Sequence, residues 1–173
     1  RLSTSQLKDL ATNQAYFNVI AGMGSDLEKA NALRHVLDQD SFQKKNADKI
    51  LDIAGTLGSD LDKANLFREL IGKGYITGAR FDSLLDRIDR LGSDLDKISL
   101  YKDLIERRGL TDPQWVNLMN KTGKLGSDMD KAYLLQEIAK KMPGTEKLKA
   151  AYLTAAKTIS NDPDYGKAVR AVE

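Results

Sequence analysis

The sequence has no cysteine, which excludes disulfides and thiolate metal sites and leaves the redox compartment open. Its single histidine, His35, leaves zinc ligation to carboxylates alone, so no metal and no cofactor is expected. Only 3 prolines are present and charged residues make up 30%, a composition unlike that of a disordered chain. Charge of one sign is also lacking: 27 basic residues against 25 acidic give a net +2. A dedicated nucleic-acid binder would carry a basic footprint instead. No apolar run approaches the roughly 18 residues that a membrane span needs. There is no Gly-rich loop following a strand, and no Gly-Lys-Ser/Thr, so a phosphate loop is excluded. The chain opens on Arg1 and not on methionine, which leaves room for a longer precursor with a signal or anchor.

What is present is a core-forming hydrophobic content of 41%, enough for one repeat domain over 1–173, and a period. "LGSDLDKA" at Leu57 has near-copies in "MGSDLEKA" at Met23, "LGSDLDKI" at Leu91, "LGSDMDKA" at Leu125 and a worn "ISNDPDYG" at Ile159. Gly24, Gly58, Gly92 and Gly126 are 34 residues apart, and Ser160 holds the fifth position. A period of this size belongs to stacked supersecondary units that cannot bury their apolar faces alone.

The octapeptide reads as a helix start. Ser25, Ser59, Ser93, Ser127 and, in the last copy, Asn161 stand as N-caps. Three residues on come Glu28, Asp62, Asp96 and Asp130, as in a capping box, where the acid reaches back to the cap's N–H. Asp26, Asp60, Asp94, Asp128 and Asp162 fall in the first turn, against the positive end of the helix dipole. Behind each cap an apolar stripe is predicted: Leu27, Ala30, Leu33, Val36 and Leu37, then Leu61, Ala64, Phe67, Leu70 and Ile71. The later copies run Leu95, Ile98, Tyr101, Leu104, Ile105 and Met129, Ala132, Leu135, Ile138, Ala139. The other helix of each unit carries the columns Tyr16, Ile50, Leu84, Leu118, Tyr152 and Phe17, Leu51, Leu85, Met119, Leu153. Ser5, Ser41, Thr77, Thr111 and Thr145 mark its starts, and Gly72, Gly74, Gly109 and Gly144 mark stops.

The expected fold is all-α, a right-handed α-solenoid of about five antiparallel helical hairpins and about ten helices. The units are 5–38, 41–72, 77–107, 111–141 and 145–172. Their helices are 5–21, 25–38, 41–55, 59–72, 77–90, 93–107, 111–123, 127–141, 145–158 and 161–172.

On "GSDLEKA", "GSDLDKA" and "GSDMDKA" the chain resembles two groups. The period and the Gly…Lys-Ala opening of the second helix are similar to tetratricopeptide repeats. Here, though, one more residue separates Gly from Ala, and Phe17, Leu51, Leu85 and Met119 fall where that group favours a small side chain. The motif also resembles the helical Ser-Asp-x-Glu-Lys repeat of bacterial envelope and signalling proteins. The resemblance implies a tetratricopeptide- or HEAT-like scaffold, bacterial and extracytoplasmic in preference to cytoplasmic, with no activity of its own.

The recurring acids have two readings, a ladder of cation sites or a series of capped joints. Calcium wants about six to eight converging oxygens, and one or two carboxylates arrive per turn here. The joint is therefore expected, with each acid able to bond a neighbouring repeat's backbone as well. Lys29, Lys63, Lys97 and Lys131, three residues after those acids, read as a solvated face, and His35 reads as exposed. A column of Arg34, Arg68, Lys102 and Arg170, interrupted by Gln136, is the candidate partner surface, since guanidinium forks suit an acidic peptide. Beside it run Glu69, Asp103 and Glu137, so an ion-pair ladder between repeats is the other reading. Trp115, in one column with Ala47 and Phe81, is a core filler or an anchor. Tyr133, where other copies have Asn31, Asn65 and Ser99, is a further candidate.

No catalytic residue is nominated. The expected function is a non-enzymatic scaffold holding a protein or peptide, in a monomeric chain without a membrane span. One alternative is a ligand-binding or hydrolytic domain using the carboxylates Asp48, Asp52, Asp82, Asp86 and Asp89, should two of them face a cleft about 5–9 Å apart. Another is an RNA-binding helical repeat, which the near-neutral charge disfavours.

Overall fold

The computed structural model describes residues 10–39 and 43–173. Among them are ten α-helices and no strand. The helices are α1 (Leu10–Gly22), α2 (Asp26–Leu37), α3 (Gln43–Gly55), α4 (Asp60–Gly72), α5 (Ala79–Asp89), α6 (Asp94–Ile105), α7 (Asp112–Thr122), α8 (Asp128–Lys141), α9 (Glu146–Ala156) and α10 (Asp162–Arg170). The expected starts at Ser5 and Ser41 lie outside the described residues. The chain forms two compact units, one reaching Arg80 and one starting at Phe81.

In the first unit α2 packs beside α4, α1 beside α3, and α3 against both α2 and α4. In the second, α6, α8 and α10 form one row and α7 and α9 another, with α8 touching both members of the second row. Within each unit, second helices therefore lie next to second helices and first next to first, as stacked hairpins require. The columns are buried in each unit: Ile50 and Leu66 in the first, and Leu84, Leu100, Leu118, Leu134 and Tyr152 in the second. The Tyr152 hydroxyl donates to the Ala168 carbonyl at 2.8 Å, fastening α9 to α10. At the end of α4, Gly74 adopts φ +74°, and the N–H groups of Gly74 and Tyr75 donate to the Ile71 and Leu70 carbonyls, a left-handed stop that favours glycine.

Two expectations are corrected. The first residue of each second-helix stripe is not buried: Leu27, Leu61, Leu95 and Met129 are 61%, 63%, 80% and 66% exposed. Each residue turns about 100° around the axis, so a step of three falls back about 60°. Leu27 thus lies about 120° from Leu33, the centre of the stripe, and drops off its edge. Leu153 departs from its column in the same sense and is exposed, lining a cavity with Val169 and Val172.

The lysines are the second correction. The side chains of Lys63, Lys97 and Lys131 keep only 18%, 17% and 11% of their exposure. They are not a solvated face, because their stems lie along the joint and only the ammonium reaches a polar partner.

Candidate functional site

Each joint starts from the cap. The side chains of Ser25, Ser59, Ser93, Ser127 and Asn161 accept from the N–H three residues on, at 3.2–3.3 Å. The capping-box acid does not close the loop at two of them. The Ser59 and Asn161 N–H groups donate instead to the first-turn aspartate of the preceding hairpin, Asp26 and Asp128, at 3.3 and 3.0 Å. The residue before the cap joins in at three joints: Gly58 N–H donates to Asp26 Oδ2 at 2.6 Å, Gly126 to Asp94 Oδ2 at 3.3 Å and Ser160 to Asp128 Oδ2 at 2.8 Å. A reciprocal acceptor on the third residue is found elsewhere, where Thr111 N–H donates to Gln114 Oε1 at 2.9 Å.

The second carboxylate oxygen takes the lysine. Lys63, Lys97 and Lys131 donate to Oδ1 of Asp60, Asp94 and Asp128 at 3.0, 2.9 and 2.9 Å. Lys131 also donates to the Thr158 carbonyl of the next hairpin at 2.9 Å. The octapeptide is thus a two-sided clasp, with one oxygen for the neighbour's amides and one for the lysine. Glycine keeps the approach open: a Cβ on Gly58 or Gly126 would stand 3.0 or 3.3 Å from the clasping oxygen. Ser160 shows that a serine is accommodated at this point.

The clasp has a pH signature. The Lys97 ammonium, then the Gly126 amide, hold the Asp94 carboxyl below the usual carboxylate range. Lys131, then the Ser160 and Asn161 amides, do the same for Asp128. Arg80 lowers Asp48, and Lys121 lowers Asp86. A depressed folded-state pKa stabilises the fold above the unfolded value, and that stability is lost as pH falls through the folded one. Thermal melts are expected to hold from pH 7 to about 5 and to fall below about pH 4. Asp94→Asn should make that acid decline shallower; an unchanged decline would show that the clasp does not titrate.

The candidate partner column is largely occupied by contacts within its own units. Arg34 Nε lies 3.2 Å from Glu69 Oε1 and its Nη2 lies 3.8 Å from Asp62. Arg68 donates to Asn65 at 3.1 Å. Lys102 and Tyr133, read separately in the sequence, come together: Nζ donates to the phenol oxygen at 2.6 Å and lies 5.2 Å from the ring centroid. Arg170 is exposed, with its guanidinium beside Gly166. Trp115 is 3% exposed. His35 is half-buried, with Nε2 at 3.1 Å from Gln39 Nε2, and does not stand out in solvent as expected.

Four of the five carboxylates of the hydrolytic alternative, Asp48, Asp82, Asp86 and Asp89, meet a donor of the next hairpin in their own unit. Arg80 forks onto Asp48 with two bonds of 2.6 Å, Asn117 donates to Asp82 at 2.7 Å, and Lys121 bridges Asp86 and Asp89 at 2.8 and 2.9 Å. Neither of the two cavities described here is lined by any of them. No group of three or more His, Cys, Asp or Glu among the described residues could hold a metal ion. None of the helices described is long and apolar enough to cross a membrane.

The more polar cavity holds residues that the sequence reading passed over. It has a volume of about 530 Å³ and lies where α6 and α8 end, with Glu106, Arg107, Arg108, Lys141 and Pro143 around the Trp115 ring. The signal available in the sequence was "ERRG" at Glu106, where Arg108 replaces the Gly74 and Met142 of neighbouring copies. No protein-family model matches the chain, and no curated protein or solved structure matches it either.

Proposed function

We propose that the protein is a non-enzymatic scaffold for a protein or peptide, its hairpins stacked as a right-handed α-solenoid of the tetratricopeptide- or HEAT-like kind. The observation that carries this reading is the exposed apolar residue in the third place of the clasp motif, Leu27 and Leu61 in one unit and Leu95 and Met129 in the other. Single exposed leucines are ordinary on any surface. Four at one repeat position are different, because the joint is completed by the serine, aspartate and lysine around them, and a polar residue there would fold as well. An apolar side of a partner segment is what such positions serve. The carboxylates, engaged as they are by arginine, lysine and asparagine, favour a scaffold over acid–base chemistry.

The test is a variant carrying Gln at Leu27, Leu61, Leu95 and Met129. Each change is expected to alter stability by less than about 0.5 kcal/mol, because little apolar surface is lost. Chemical crosslinking and affinity capture with the parent and the variant should then differ in the partner retained. The reading fails if the parent captures no protein, or if the variant retains the same partner equally well.

A further inference from the structure

We propose that the cavity bounded by Arg107, Arg108, Lys141 and Trp115 is an oxyanion site, taking a carboxylate or a phosphate. Arg107 Nη1 is buried and has no hydrogen-bond partner among the described residues. A desolvated guanidinium donor left unmade is costly, and the paired oxygens of a carboxylate or phosphate are the acceptors its fork fits. Its relatives are satisfied: 35 residues before Lys73 stands Asp38, at 4.0 Å, and 35 before Lys141 stands Glu106, at 2.8 Å.

The charge sum points the same way. Three cations and one acid line the cavity, and Glu106 is already engaged by Lys141. The C-terminal ends of α6 and α8 subtract about half a charge each. About one positive charge remains, held partly out of water, where it attracts an anion more strongly than a solvated lysine would. Burial lowers the Arg107 pKa from its ordinary value, yet an arginine stays charged at any physiological pH. The site deepens the scaffold reading by naming acidic or phosphorylated segments as what the second unit would hold, and it can fail without that reading failing.

Trp115 is the only tryptophan, so its fluorescence reports on this cavity alone. The full chain would be titrated with a capped hexaglutamate peptide and, separately, with inorganic phosphate. A saturable fluorescence change with either probe, weakened by added salt, is expected, and the probe that gives it identifies the source of the oxyanion. Arg107→Gln should weaken that binding by roughly tenfold or more, and Arg34→Gln should leave it unchanged. Arg108 is exposed, so Arg108→Gln is expected to fold like the parent and should weaken binding as well, which decides the matter if the Arg107 variant fails to fold. No saturable response to either probe, or equal binding by the Arg108 variant, overturns the proposal. Capture through the exposed leucines of the first unit would be untouched by that outcome.

Discussion

Tyr152→Ala is expected to destabilise the protein by about 3–5 kcal/mol and Tyr101→Ala by a similar amount, since both rings are fully buried. The phenylalanine variants should separate the two sites. Tyr152→Phe removes the bond to the Ala168 carbonyl and should cost about 1–2 kcal/mol. Tyr101→Phe removes a hydroxyl that is buried without a partner among the described residues, and stability is expected to stay level or rise by up to about 1 kcal/mol. Denaturant unfolding with unchanged slope is the measurement. A loss at Tyr101 equal to that at Tyr152 would mean its hydroxyl has an acceptor.

The same pair predicts a base limit. Burial, then the charges of Asp89, Asp94 and Asp86, push the Tyr101 hydroxyl well above its ordinary pKa, and burial does so for Tyr152. A raised folded-state pKa means stability that is complete below the unfolded value, about 10, and lost as pH climbs beyond it. The share of phenolate absorbance owed to these two of the six tyrosines should therefore appear together with the loss of helical circular dichroism, above about pH 10. In the double phenylalanine variant the helix should survive to higher pH. Full titration of all six tyrosines before helix loss would contradict the burial of both rings.

Much of the fold was legible because the period is unbroken and each start carries its own cap. The expected helices agree with α1–α10 to within two residues wherever both ends are described. What the sequence could not show is what the next hairpin places over a residue. Lys131 sits three residues from Asp128 like any exposed helix pair, and nothing in that spacing announces the Thr158 carbonyl above it. Leu27 has the spacing of a core residue, and only the angle between α2 and its neighbours decides that Leu33 is covered and Leu27 is not. The third-position acids looked like capping-box acids, and their role was partly taken by the preceding aspartate, 33 residues away at Ser59 and Asn161. Arg107 was unremarkable as a loop arginine, and nothing in its spacing announces that its Nη1 is buried with no hydrogen-bond partner among the described residues.

The clasp itself is tested most sharply in α8, which carries two lysine–acid pairs of identical spacing. Lys131→Ala is expected to cost about 2–3 kcal/mol, and Lys140→Ala less than about 0.5 kcal/mol. Lys140 keeps 63% of its side-chain exposure and meets only Glu137 among the described residues, so water replaces what is lost. Lys131 keeps 11% and donates to both Asp128 and the Thr158 carbonyl, so its removal takes away two bonds together with a buried stem. For a chain of this length the difference corresponds to a fall in melting temperature of roughly 5–10 °C for Lys131→Ala. Lys131→Met keeps the apolar stem and removes the donor; it should recover part of the loss and no more. In an Asp128→Asn background, Lys131→Met should cost less than in the parent, because the two groups act as one unit. Equal losses at Lys131 and Lys140, or additive losses in that cycle, would reduce the motif to an ordinary surface ion pair beside a helix cap.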